Sequence, residues 1–132
     1  MSIDIQDNSE EVLAAFHEAL LRGLEKCGLA AEGYAANLCP VDTGVLRGSI
    51  THAVAEGENA AYIGTNVEYA AYVELGTGRY YPGGRPTPWA YQDANGDWHW
   101  TAGSRAQPYL RPAVENNAKQ YVSIMNEEMT RQ

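Results

Sequence analysis

Apolar residues recur at steps of three and four along the first third of the chain: Val12, Phe16, Leu20, Leu24, Cys27, Ala31, Tyr34 and Leu38. That spacing marks one face of an α-helix and predicts a helix over residues 9–38. At ~1.5 Å per residue it would be about 45 Å long. A domain of 132 residues does not need so long a helix for its own core. Asp7 with Glu10, and Asn8 with Glu11, have capping-box spacing at its start. Pro40 lacks an N–H and disfavours helix at Cys39, so the helix should stop there. Gly23, Gly28 and Gly33 interrupt the pattern, each at a cost of about 1 kcal/mol relative to Ala. Ala15, Ala19, Gly23, Ala30 and Gly33 roughly outline a second, small-residue face. Two readings stay open: plain helix composition with a kink at Gly28 or Gly33, or close approach by the C-terminal helix or a neighbouring subunit.

Past Cys39 the elements become short and turn-rich. Asp42 and Thr43 can bond nearby backbone, and Gly44 permits a positive φ, which predicts a tight turn. Leu46 and Ile50 then offer apolar anchors, with Arg47 between them. Residues 49–55 alternate, with Ile50, His52 and Val54 facing one way. Residues 56–59 are a turn and residues 60–65 a second strand, which makes a hairpin. On its apolar face His52 reads as a satisfied core side chain. Residues 68–75 suit a short helix ended by Gly76. In the Gly- and Pro-rich stretch after it, residues 89–92 and 98–101 can pair across 93–96, where Asn-Gly is a hairpin signal. Trp89, Tyr91, Trp98 and Trp100 hold most of its apolar weight, and such a ribbon is marginal alone. Pro108 and Pro112 frame Tyr109, Leu110 and Arg111. Ala113, Val114, Ala118, Tyr121, Val122 and Met125 then give a second amphipathic helix, with Pro112 suited to its first turn. The fold class is α+β in a single domain, residues 1–132: a long N-terminal and a C-terminal helix packed on a small, mostly antiparallel sheet. An aromatic-rich β-hairpin insertion occupies about residues 78–106.

Charge narrows the partners. The chain carries a formal −8, but residues 76–107 hold two acids and three bases and are the one net-positive stretch. Binding to nucleic acid needs clustered Lys and Arg to displace counterions, so specific nucleic-acid binding is not expected. No stretch approaches the ~18 apolar residues of a membrane span. The acidic start lacks a signal peptide's basic region, which predicts a soluble protein made in the cytoplasm. If Cys27 and Cys39 share one helix, roughly 18 Å separates them, beyond disulfide reach. Both are expected as reduced thiols.

No enzyme chemistry is legible. His17, His52 and His99 are scattered, and no His or Cys pair has zinc-site spacing. Gly76 and Gly78 do not open a helix after a strand, as a phosphate loop does. Ser49 and Ser104 lack the surroundings of an activated nucleophile. Asp42 with Glu74 is explained more simply as a turn cap and a helix terminus. Neither cofactor nor metal is implied. The residues suit assembly better: Arg47, Glu74, Thr77, Arg79, Tyr80, Tyr81, Arg85, Trp89, Trp98, Trp100, Tyr109 and Arg111 are the interface candidates, since exposed aromatics beside Arg are what interface cores select. For Arg47 an ion pair within the chain, to an acceptor such as Glu74 in the matching blocks, is the plainer reading. Asp42, Thr43, Gly44, Leu46, Gly76, Pro108 and Pro112 are expected to serve the fold. A competing reading takes the insertion as a glycan- or protein-binding module whose aromatics stack on sugar rings.

Three blocks in order carry a resemblance. The first is Pro40, Val41, Asp42, Thr43, Gly44, Leu46, Arg47, Ser49 and Ile50. The second is Tyr72, Val73, Glu74, Gly76 and Thr77. The third is Gln107, Pro108, Leu110, Arg111, Pro112 and Ala113. Between the last two lie Thr87, Pro88, Trp89 and Gly96, Asp97, Trp98. Over about residues 35–115 the chain resembles the gene-product-ten-like tail-component family of siphophages, grouped with tail-completion proteins of the minor tail protein Z class. The resemblance implies a structural virion protein, without catalysis, that completes the tail and joins it to the head at the neck. It further implies other neck and tail proteins as partners, self-association into a ring, and a path from the host cytoplasm to the virion.

Overall fold

The structure, a computed structural model, describes residues 8–41 and 44–131. The expected cap at Asp7 and the turn roles of Asp42 and Thr43 lie outside them.

Helix α1 (Ser9–Leu38) runs through all three glycines and ends where the pre-proline rule places its end, with Cys39 extended at ψ 128°. Asn8 is its N-cap but makes no side-chain cap bond, so the Asn8 capping box does not form. The hairpin and the C-terminal helices both pack against this spine. Its buried positions are Ala19, Gly23, Gly28, Ala31 and Ala35, all small; of the second face read from the sequence, Ala19 and Gly23 are buried and Gly33 is exposed. A Cβ on Gly23 would lie 2.5 Å from Met125 Sδ, and one on Gly28 would lie 2.8 Å from His52 Cδ2. Close approach within the chain is therefore what these two glycines serve. Gly33 has open space around its Cα. The large apolar stripe fares differently at its ends: Val12, Phe16 and Leu38 are exposed. Periodicity finds the apolar face of a helix but cannot say how far its neighbours extend.

A single helical turn, α2 (Val45–Ser49), comes after Gly44 at φ +85°. Ser49 was expected to open a strand; instead its Oγ donates to the Leu46 carbonyl at 2.6 Å and closes this turn. The hairpin is β1 (Thr51–Ala55) with β2 (Ala60–Gly64), paired His52 to Ile63 and Val54 to Ala61. Helix α3 (Ala70–Leu75) stops at Gly76, whose φ +86° and ψ −177° belong to a region almost reserved for glycine. Strands β3 (Trp89–Gln92) and β4 (Trp98–Thr101) form a second, separate two-stranded sheet. The fold is thus α+β with two antiparallel ribbons.

The C-terminal helix divides in two: α4 (Leu110–Glu115), with Pro112 in its first turn, and α5 (Ala118–Thr130). Asn117 donates from Nδ2 to the Ala113 carbonyl at 2.9 Å, and the Tyr121 hydroxyl reaches the same carbonyl. A carbonyl taken by side chains favours a break at that point. Val114 and Val122, expected on the buried face, are exposed. Glu128, fully buried on α5, bonds to Arg22 and Lys26 of α1 and to Arg131. This carboxylate fastens α5 along the spine.

Candidate functional site

The three sequence blocks converge. Ala35 and Cys39 close α1, Leu46 and Ile50 come from the first block, Ala70 from the start of α3, and Tyr109 and Ala113 from the third. They form one buried cluster, with Val73 and Leu110 packed against it. Glu74 completes the junction from α3. Its carboxylate accepts the backbone N–H groups of Tyr109 at 2.6 Å, Leu110 at 3.0 Å and Arg111 at 2.9 Å. A helix start leaves such N–H groups without partners, and a carboxylate is their strongest acceptor. One side chain of the second block therefore caps the helix that the third block opens.

This arrangement reassigns several interface candidates. Glu74 is an internal cap. Arg47 is exposed on α2, and the ion pair expected between them is not made, because the carboxylate is committed to backbone. Tyr109 is fully buried and cannot present its ring to a partner. Its hydroxyl has no hydrogen-bond partner, and burial, with help from Cys39 and Glu74, pushes the phenol up to about 12. Thr77 accepts the Ser104 N–H on its Oγ1 at 2.7 Å and so belongs to the base of the insertion. Arg111 is exposed and pairs with Glu115 at 2.9 Å on its own helix. Leu46 lies in this junction, and Gly44, Gly76, Pro108 and Pro112 lie beside its elements in the chain.

The insertion leaves the body through a narrow base. The Thr77 N–H donates to the Ser104 carbonyl at 2.8 Å and the Arg79 N–H to the Ala102 carbonyl at 3.1 Å. The two backbones touch so closely that a Cβ on Gly78 would lie 2.3 Å from the Ala102 oxygen, and one on Gly103 would lie 2.0 Å from the Thr77 oxygen. Those glycines serve chain packing, which explains Gly78 without any phosphate. Beyond the base, Trp89 turns inward, its ring near Gly78 and under Arg85, and is half-buried. Trp98 and Trp100 do not: they are 69% and 78% exposed. Two residues apart on β4, they share one face of the ribbon. Tyr91 and His99 stack on the opposite face. At the tip, Asp93 Oδ1 accepts the N–H groups of Asn95 and Asp97, and Oδ2 meets His99 at 2.6 Å. These contacts hold the Asp93 carboxyl below its ordinary range, His99 first.

Arginine placement is equally specific. Arg79 donates to the Tyr80 hydroxyl at 2.9 Å, Arg105 lies over the same ring, and Arg85 lies over Trp89. The guanidinium groups of Arg79 and Arg105 pull the Tyr80 phenol below its usual value, Arg79 more strongly. Tyr81 packs against Tyr72 with ring centres 5.3 Å apart. The insertion thus presents an aromatic, basic surface on a folded ribbon.

Two features escaped the sequence. An open apolar trough of about 370 Å³ runs between α1, β2 and the C-terminal helices. His52 is held by Glu25 on Nε2 at 2.6 Å and by Glu32 on Nδ1 at 3.3 Å, both from α1. The Glu25 bond raises the His52 pKa and burial opposes it. Spacing of 27 and 20 residues gave no hint of that pairing. Among the described residues, no group of three or more His, Cys, Asp or Glu is arranged to hold a metal ion, and no helix is long and apolar enough to cross a membrane. Comparison of the chain with protein-family models, curated proteins and solved structures finds no match.

Proposed function

We propose that the chain is a non-catalytic structural protein of a tailed-phage virion, acting where the tail is completed and joined to the head. The reading starts from the resemblance carried by the three blocks. One observation supports it most: the blocks form a single interlocked core, while the segment between the second and third stands outside that core with the indoles of Trp98 and Trp100 exposed. A core built from the three blocks, with an aromatic arm mounted on it, suits a protein whose work is to contact neighbours. Exposed Trp and Tyr beside Arg make the arm an interface by composition.

Replacing residues 79–105 with a short Gly-Ser linker tests this. The shortened protein should unfold cooperatively but fail to join heads to tails in a complementation assay. An unfolded product, or full phage yield, would overturn the reading. A second reading, glycan binding, is favoured by one feature, the flat face shared by Trp98 and Trp100. Retention on immobilised glycans, lost on Trp98→Ala, would favour it over assembly.

A further inference from the structure

We infer that the hairpin β1–β2 is a flap over the apolar trough, fastened to α1 by histidine–carboxylate contacts and released as pH rises. The inference concerns the body of the protein and does not depend on the assembly reading.

The hairpin has little of its own to hold it down. Neither strand contains a fully buried residue. A two-stranded ribbon is marginal alone, so its seat on α1 decides whether it stays ordered. At its root Ile63 packs at the edge of the buried cluster, and the Ser49 and Thr65 hydroxyls bond to each other. The polar contacts that tie the hairpin to α1, among the described residues, each join a histidine to a glutamate. His52 of β1 meets Glu25 at 2.6 Å and Glu32 at 3.3 Å. His17 of α1 meets Glu56, at the hairpin turn, at 3.2 Å.

The placement of its two nitrogens makes His52 a clasp. Glu25 and Glu32 flank Gly28 in the chain, and the imidazole lies against Gly28 itself, where a Cβ would come within 2.8 Å of Cδ2. Nε2 faces Glu25 and Nδ1 faces Glu32. Only the protonated ring has an N–H for both; the neutral ring has one and turns a lone pair toward the other carboxylate. No neighbouring cation takes over among the described residues. The cross-strand partner of His52 is Ile63, and Lys26, next to Glu25 in the chain, is bound to Glu128. The Glu25 bond raises the His52 pKa against the pull of burial. The clasp is therefore complete below about 6.5 and lost as pH rises through the raised value. At the turn, a neutral His17 would keep a hydrogen bond to Glu56 but lose the charge that strengthens it.

Release matters because the hairpin helps to wall the trough. Its Asn59, Ala61 and Ile63 line that space together with Leu20, Leu24 and Cys27 of α1. Lifting the hairpin bares this apolar part of the helix.

Native-state hydrogen exchange on the full chain tests this, at about pH 6 and about pH 8.5 and corrected for intrinsic amide chemistry. Amides of β1 and β2 should exchange faster than those of Ala19 and Ala35, through an opening almost insensitive to dilute urea. Their protection should fall roughly tenfold to hundredfold between the two pH values, the range for one charge-assisted hydrogen bond lost. His52→Gln cannot reach both carboxylates and should be loose at both pH values. Glu25→Gln, at a side chain 60% exposed, should do the opposite. Its carboxamide gives Nε2 an N–H while the neutral ring donates to Glu32 from Nδ1, so the hairpin stays fastened at the higher pH. Glu56→Gln should keep the pH response and lower protection by at most about fivefold. At about pH 8.5 Cys27 should react with a maleimide at least about tenfold faster in the parent than in Glu25→Gln, a comparison at one pH that cancels thiol ionisation. No pH response in the parent, hairpin amides that exchange only with global unfolding, a response that survives His52→Gln, or equal Cys27 rates would overturn the inference.

Discussion

Removing the Glu74 carboxylate is the sharpest test of how the three blocks hold together. The side chain accepts three backbone N–H groups at the start of α4, and the Tyr109 and Leu110 amides are partly buried. A hydrogen bond to a charged group contributes about 1.5–3 kcal/mol, and a buried donor left unmet costs about 1–3 kcal/mol. The three bonds share one acceptor and do not add, and the Arg111 amide lies nearest solvent, so its share is the smallest. Glu74→Ala should therefore lower stability by about 3–5 kcal/mol, a large part of the ~5–15 kcal/mol typical of a domain. At this chain length that corresponds to roughly 10–20 °C in Tm. Glu74→Gln keeps one oxygen but turns an NH₂ toward the remaining donors, and should lose about 1–3 kcal/mol. Urea unfolding tracked by circular dichroism, at constant m, measures both. Hydrogen exchange should show the amides of Tyr109 and Leu110 losing protection first. If Glu74→Ala unfolds within about 1 kcal/mol of the parent, the cap is not what joins the second block to the third.

The same geometry makes three further outcomes testable. Gly44 has open space around it but φ +85°, so Gly44→Val should cost roughly 1–3 kcal/mol through backbone conformation alone; thermal melts decide, and an unchanged Tm would mean the turn adapts. Lys26 first, with Arg22 and Arg131, holds the Glu128 carboxyl below its usual range, so its contribution is present above the unfolded carboxylate pKa and lost as pH falls through the lowered one; Glu25 raises His52, whose contribution is full below about 6.5 and lost as pH rises through the raised value. Stability should thus fall on the acid side less steeply in Glu128→Gln and on the alkaline side less steeply in His52→Gln, read from Tm against pH. Finally, Cys27 and Cys39 are free and burial raises both thiols, so Ellman's reagent should find two thiols after unfolding and react much more slowly with native protein.

The sequence disclosed local rules and missed the long-range ones. Helix α1 was legible because the apolar period and the pre-proline stop agreed, although its length exceeded what a domain of this size needs. Gly44 and the pairing of β3 with β4 were legible because turn chemistry is local. The break at Asn117 was missed because it depends on a side chain turning back onto the Ala113 carbonyl, which composition does not reveal. The site was half legible: the aromatic arm stood out, but Tyr109 and Glu74 were placed at an interface when they build the core. Their roles depend on partners 35 to 37 residues away, a separation over which pattern carries no information.

The base of the arm has an evolutionary consequence. Two backbone bonds and two glycines in mutual contact close the insertion at its root, so the body meets the same short junction whatever lies beyond it. Lengthening a closed loop is cheap, about 0.6 kcal/mol per doubling. The segment beyond the root can therefore be exchanged, shortened or re-sequenced while Glu74 and the buried cluster keep the scaffold intact. On the assembly reading proposed above, specificity for a neighbour and stability of the fold rest on different residues, and selection can change the first without risking the second.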